Sequence, residues 1–312
     1  MSKKVLVTGA AGFIGSHLCE KLLSLGYTVI GLDNFITGDI ENVEHLADND
    51  DFVLLEMDIS TKMTFNMKVD YVLHFASPAS PIQYSKYPIE TMMVNSLGAL
   101  NCLEFAMSNE ARLIVASTSE IYGDPLEHPQ KESYWGNVNS FGDRSCYDES
   151  KRFMEAAVHS YQKIYGVNAG IVRIFNTFGE RMDINDGRAI PQFFSQAIKG
   201  EPITIYGDGS QTRSFCYVSD LVDGVIKLML SDYGKPVNIG NPDEITLTQL
   251  ASEILEITGS SSEIKYMPLP NDDPQKRKPD ISLAEEILKW KPNVSRIDGL
   301  KKTYQYFKEK LL

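Results

Sequence analysis

Tyr147 and Lys151 stand four residues apart, a spacing that puts both side chains on one face of a helix. A free tyrosine ionises near pH ~10. A neighbouring ammonium, helped by the cationic nicotinamide of a bound dinucleotide whose ribose Lys151 would also hold beside Tyr147, stabilises the phenolate and lowers that value. Tyr147 would then serve as a base near neutral pH, taking a proton from a hydroxyl as a hydride leaves to an acceptor. Upstream, Ser117-Thr118-Ser119-Glu120 follows an apolar run, and Thr118 or Ser119 would share the hydroxyl's hydrogen bond. Tyr/Lys pairs at this spacing also sit on solvated helix faces, so the pair gains meaning only beside a cofactor site.

Such a site is written at the start of the chain. The run Val5-Leu6-Val7-Thr8 meets Gly9, Gly12 and Gly15, then a helix begins at Phe13-Ile14. Gly9 takes the tight turn, Gly12 lets backbone approach a ligand, and Gly15 lets helix and strand pack closely. The N–H groups at that helix start would hold a pyrophosphate. A second strand, Tyr27 to Leu32, ends in Asp33, roughly 20 residues beyond the glycines, where an acid binds an adenosine ribose 2′-hydroxyl. A carboxylate there repels a 2′-phosphate, so NAD is expected rather than NADP. The polar loop Asn34-Phe35-Ile36-Thr37-Gly38 would fold over the adenosine. Asp58-Ile59 would flank the adenine, or be a plain strand end.

The remaining elements must position these groups. Strands are expected at Phe52–Glu56, Val69–Ala76, Arg112–Ser117 and Asn168–Ile174, with helices at about Pro88–Met107 and Tyr147–Tyr165. His74 reads as a packed core histidine. Strands alternating with helices predict right-handed βαβ units and an α/β, Rossmann-type, doubly wound parallel sheet. Ligands then bind beyond the carboxyl ends of the strands. After about Glu180 the elements shorten, with helices at Pro191–Lys199, Ser219–Leu230, Thr246–Thr258 and from Ile297 onward, and a strand at Ile203–Tyr206. This predicts a cofactor domain over 1–178 and a smaller substrate lobe over 179–312, with later strands free to rejoin the sheet.

The 312 residues suit one large domain or two joined lobes, and 43% hydrophobic content supports a sizeable core. A net charge of −12 argues against a nucleic-acid surface. The four cysteines form no CxxC pair, which fits reduced thiols and a cytoplasmic setting. Met1-Ser2-Lys3-Lys4 runs straight into the first strand, so no signal peptide is expected, nor a membrane span or metal site.

Together the glycines, Asp33, the Ser/Thr pair and YxxxK resemble the extended short-chain dehydrogenase/reductase family over essentially the whole chain. Longer strings look like its UDP-glucuronate decarboxylase (UDP-xylose synthase) branch: Phe75 to Pro81, Ser117 to Pro125, Cys146 to Glu149, Arg173 to Gly179 and Asp272 to Asp280. The resemblance implies oxidation of a UDP-sugar at C4, loss of CO₂ from the 4-keto acid and return of the hydride. It also implies roles for Glu120 and Arg277. Arg277 would hold the C6 carboxylate and help protonate C5; Glu120 would orient that group or repel it. Without the resemblance, Lys276-Arg277-Lys278 reads as surface charge. For the nucleotide the candidates are Asn176, Arg188, Tyr206, Gln211 and Arg213, each otherwise an ordinary surface residue. Arginine suits bidentate phosphate contacts.

Relatives with the same first step set the alternatives. These are a UDP-glucuronate 4-epimerase and a decarboxylase releasing UDP-4-keto-pentose and NADH. Dehydratases of the family carry an Asp-Glu pair where this chain has Ser119-Glu120. A non-catalytic dinucleotide sensor could dispense with Tyr147 or Lys151. Departures from the pattern are Ala10 for a glycine, Met93 for a lysine near the cofactor, and Ser140, Asp143 and Glu180 for prolines. Asp143 and Glu180 would place negative charge near an anionic substrate. The family commonly forms a homodimer through a four-helix bundle. Here its helices would be 88–107 and 147–165, with Met92, Leu97, Leu100, Leu103 and Met107 as the apolar face.

Overall fold

The computed structural model describes residues 2–61, 63, 67–268 and 276–311. Six strands follow the chain through its first half: β1 Lys4–Thr8, β2 Thr28–Asp33, β3 Phe52–Glu56, β4 Tyr71–His74, β5 Arg112–Thr118 and β6 Ala169–Ile174. Beyond them lie β7 Thr177–Phe178, β8 Ile203–Tyr206, β9 Thr212–Ser214, β10 Cys216–Tyr217, β11 Pro236–Ile239, β12 Glu244–Thr246, β13 Ile264–Met267 and β14 Lys276–Arg277.

The main sheet has seven parallel strands in the order β11-β6-β5-β4-β1-β2-β3. It is a doubly wound, Rossmann-like sheet. The strand order reverses between β1 and β4, the switch point where such sheets open a ligand crevice. Both faces of the sheet are covered, which is why β1 and β5 read as near-continuous apolar runs. The chain returns to this sheet at β11, beside β6.

The helices are α1 Phe13–Ser24, α2 Pro81–Lys86, α3 Pro88–Met93, α4 Ala99–Asn109, α5 Ser145–Tyr165, α6 Ala189–Lys199, α7 Val218–Leu230, α8 Leu247–Thr258, α9 Ser282–Leu288 and α10 Arg296–Leu311. Apolar residues divide into two cores. One gathers α1 and α7 with Val5 and Val7, and the other gathers α4 and α5 with Leu6 and Val72. Each fully buried Val, Leu or Phe contributes about 1.5–3 kcal/mol relative to exposure. The single helix expected over 88–107 is instead α3 and α4 joined by a π-helical turn at Val94–Gly98. The fourth strand is shorter than expected, and His74 within it is a buried core residue. Its Nδ1 bonds the Thr8 hydroxyl at 2.9 Å, and burial pulls its pKa down to about 3.

After β6 the elements build a cap over the strand ends. β9 lies between β12, antiparallel, and β14, parallel. Strands this short carry no readable alternation, so this small sheet has no signature in the sequence. Trp290 is fully buried and donates from Nε1 to the Asp220 carbonyl at 2.9 Å, whereas Trp135 is 87% exposed. Among the described residues no helix is long and apolar enough to cross a membrane.

Candidate active site

A cleft of about 1150 Å³ runs along the carboxyl ends of β1, β2 and β3. Gly9, Gly12, Phe13, Ile14, Gly15, Asp33, Asn34, Thr37, Gly38, Asp58 and Ile59 line it, whereas Tyr147 and Lys151, also expected at the cofactor, line the adjoining cavity. Gly9 has φ +72°, and a Cβ on it would come within 2.8 Å of the Ala76 backbone. A Cβ on Gly15 would lie 1.9 Å from the Gly9 carbonyl oxygen. The turn therefore admits no side chain at either position, leaving a bare backbone cradle that fits a dinucleotide. Asp33 accepts the N–H groups of Ala11 and Phe35, each at 2.9 Å. Burial raises its carboxyl pKa, and those backbone bonds oppose the rise. Met93 also lines this cleft.

A second cavity, of about 470 Å³, opens at the ends of β5 and β6. It shares Ile14, Phe75, Ser77, Ala79, Met182 and Arg188 with the first, so the two adjoin. Thr118 ends β5, and its hydroxyl accepts the Glu120 N–H at 3.2 Å, capping the turn Ser119–Tyr122. Tyr147 and Lys151 lie one turn apart on α5. Lys151 Nζ donates to the Ala116 carbonyl at 2.8 Å, and the ammonium sits 5.7 Å from the Tyr147 ring centre. The Tyr84 ring stacks on Tyr147 at 5.2 Å.

Without a cofactor, burial dominates the electrostatics of the pair. Burial pushes the Tyr147 phenol above its usual range, and the Thr118 hydrogen bond opposes this without overcoming it. Burial also pulls Lys151 down to about 7, so its charge is marginal at neutrality. In the protein alone, burial outweighs the groups that lower the tyrosine.

Arg277 is not surface charge. It is 2% exposed, donates from Nη1 to the Ser119 carbonyl at 2.6 Å, and meets Glu120 Oε2 at 3.2 Å. Arg144 pairs with the same Glu120 oxygen. Burial alone would raise the Glu120 carboxyl; Arg277, Arg144 and Arg213 outweigh it and hold the pKa below its ordinary value. Of the string Asp272 to Asp280, the part Asp272-Asp273-Pro274-Gln275 lies outside the described residues.

Residues 5–240 match the model of the NAD dependent epimerase/dehydratase family. The chain belongs to that family. It is 49% identical over 309 residues to UDP-glucuronic acid decarboxylase 1 of Danio rerio, covering 99% of this chain and 73% of the relative. It is 48% identical over 309 residues to UDP-glucuronic acid decarboxylase 1 of Arabidopsis thaliana, covering 99% and 71%. Among solved structures it is similar to a UDP-glucuronic acid 4-epimerase from Bacillus cereus in complex with UDP-glucuronic acid and NAD. That pair shares 30% identity and a TM-score of 0.88, covering 98% and 99%. A UDP-glucose 4-epimerase from Thermotoga maritima gives 30% identity and a TM-score of 0.90, covering 99% and 100%.

In this family member the expected nucleotide residues Asn176, Arg188, Tyr206, Gln211 and Arg213 all line the second cavity. The Arg188 head is engaged by Asp186, with Nε donating to Oδ2 at 2.7 Å. Asp143 lines the same cavity, but Glu180 lines neither. The Glu180 carboxylate accepts the Tyr217 hydroxyl at 2.6–2.7 Å, so its charge is turned away from the sugar site. The expected apolar helix face is also narrower. Leu103 is fully buried and Leu100 packs on the core, while Met92, Leu97 and Met107 stay exposed.

Sequence reasoning missed Arg144, Tyr84 and Asp148. Arg144 and Asp148 are four apart and share a helix face, with Nε 3.9 Å from Oδ2. That spacing was the available signal. Asp148 is 7% exposed; burial, then the charge of Glu120, pushes its pKa up to about 7.

Proposed function

We propose that the chain decarboxylates UDP-glucuronate to UDP-xylose, with NAD as a cofactor regenerated in each turnover. The observation that carries this is the buried Arg277, held against Ser119 and Glu120 beside Tyr147. Held along Gly9, Gly12, Gly15 and Asp33, NAD would supply the acceptor for the C4 hydride and the source of its return. Tyr147 takes the C4 hydroxyl proton, Thr118 shares that hydrogen bond, and Lys151, together with the positive charge a bound cofactor would bring, stabilises the phenolate against the effect of burial. The resulting C4 ketone is β to the carboxylate, so the electrons of the C5–C6 bond have a sink as CO₂ leaves. Arg277 holds the carboxylate beforehand. Afterwards it, or a water it orients, helps deliver a proton to C5, and Tyr147 returns its proton to the C4 oxygen. Glu120 keeps the guanidinium aimed.

The cofactor set lies within residues 1–178, and most of the nucleotide-sugar set within 179–312. This supports a division of labour near residue 178, with β11 returning to the sheet. The exposed Met92, Leu97, Met107 and Phe153 on neighbouring helices support a homodimer through a four-helix bundle. A monomer in sedimentation at micromolar concentration would refute it. The four cysteines are buried free thiols, which supports a reducing, cytoplasmic setting.

The deciding experiment incubates the protein with UDP-glucuronate and NAD⁺ and follows proton NMR and NADH absorbance. UDP-xylose without net NADH is expected. UDP-galacturonate would make the chain an epimerase, and a 4-keto pentose with accumulating NADH would mean that the return hydride is missing.

A further inference from the structure

Arg277 is carried by a two-residue strand, so its aim depends on what holds the chain on either side. One edge of β14 pairs with Thr212 and Arg213 of β9. The residues just after Arg277 are held by Gln130, which is fully buried and bonded at every polar atom. Its N–H donates to the Lys278 carbonyl at 2.9 Å, and its Oε1 accepts the Lys278 N–H at 2.9 Å. Its carbonyl accepts the Asp280 N–H at 2.8 Å, and its Nε2 donates to the Glu127 carbonyl at 2.7 Å. Gln130 thus binds the backbone of 278–280 as a neighbouring strand would, with its amide supplying one rung.

The anchor continues inward. Asn238, fully buried on β11, donates from Nδ2 to the carbonyls of Gln130 (3.0 Å) and Asp280 (3.2 Å). Its Oδ1 accepts the Tyr122 hydroxyl at 2.8 Å. The Tyr122 oxygen in turn accepts from Arg173, and Arg173 pairs with Glu155 at 2.8 Å. Glu155 accepts the hydroxyl of Ser117, the residue before Thr118. A chain of satisfied buried polar groups therefore joins the segment behind Arg277 to the end of β5. Such networks fix geometry when every member is paired.

We infer that Gln130 is a positioning residue for the carboxylate step, setting where the Arg277 guanidinium stands relative to Ser119 and Tyr147. The inference rests on the decarboxylase reading. Tyr147, Lys151 and Thr118, which serve hydride transfer, make no bond to Gln130. The network toward β5 runs through the Gln130 backbone carbonyl, whereas its side-chain amide bonds only the Lys278 N–H and the Glu127 carbonyl, so losing the amide slows CO₂ release and spares the redox half.

The test separates those halves in Gln130→Met, which keeps the side chain's length and removes its amide. CO₂ release from UDP-glucuronate is measured beside NADH oxidation by UDP-4-keto-pentose, a substrate with no C6 for Arg277 to hold. CO₂ release is expected to fall about tenfold to a hundredfold, as for a reacting group displaced by about 1 Å. NADH oxidation should match wild type. Equal slowing of both halves would mean a merely structural residue and overturn the inference, as would an unchanged rate of CO₂ release. Should Gln130→Met fail to fold, Gln130→Asn carries the same comparison. A wild type that releases no CO₂ overturns the decarboxylase reading and this inference with it.

Discussion

Along the cofactor cleft the protein presents mostly backbone; in the sugar pocket it presents charge. The first is a turn of glycines, a helix start and one carboxylate already held by two N–H groups. The second gathers Arg144, Arg277 and Arg213 around the single carboxylate of Glu120. A backbone cradle tolerates no added atoms but needs no partner chemistry. A charged pocket tolerates changes of shape but loses function when one partner goes, because the others are left buried and uncompensated. The difference suits the two tasks. A dinucleotide is gripped by fixed dipoles. A carboxylate that leaves as CO₂ is met by groups whose pairing can change.

The largest effect should come where the two regions meet. Tyr147→Phe is expected to lower turnover about a thousandfold, within the range for a lost acid–base group, while NAD binding persists. Retained turnover would make the pocket's charges rather than the tyrosine the seat of the chemistry. Arg277→Ala is expected to slow CO₂ release about a hundredfold, the usual cost of removing one preorganised donor. Decarboxylation at full rate would end the role assigned to Arg277.

Gly15→Ala tests the other region. Its Cβ would meet the Gly9 carbonyl, so it should destabilise by about 1–3 kcal/mol in thermal melts. NAD titration should show the binding lost as well. A variant with wild-type affinity would mean that the cradle is softer than its geometry.

The smallest effect concerns Asp148. Its folded pKa, about 7, lies above its unfolded value. The stability it contributes is therefore complete below the unfolded pKa and is lost as pH rises to about 7. Asp148→Asn should melt higher than wild type at pH 8 by a few degrees, and the two should converge near pH 4. A constant gap across that range would mean that the carboxyl is not the cause.

The same contrast explains what could be read in the sequence. The cofactor cleft is written in contiguous residues, Gly9 to Gly15 and then Asp33, because a strand–turn–helix is local. The sheet was legible for a similar reason: strands covered on both faces must be apolar throughout. The sugar pocket draws Glu120, Arg144, Tyr147 and Arg277 from separate segments. Spacing on one helix linked only Tyr147 to Lys151, and it offered Arg144 with Asp148 to a reader who looked. Apart from the family resemblance, which assigns it a role, Arg277 looks like surface charge, because a two-residue strand has no pattern. Its burial depends on β9 and Gln130, more than sixty residues away in each case. Glu180 shows the opposite error, in which nearness along the chain suggested a neighbour that the fold points elsewhere.

The two tryptophans occupy opposite extremes, and this gives the protein two optical reporters. Trp290, dry and bonded to the Asp220 carbonyl, should emit at short wavelength and resist collisional quenchers until α7 and the segment after α9 separate. Trp135, in solvent between the Glu120 turn and α5, should emit further to the red and be quenched freely. Melting of the carboxyl-terminal elements around Trp290 should therefore be distinguishable by colour from changes at the solvated Trp135 in one unlabelled sample.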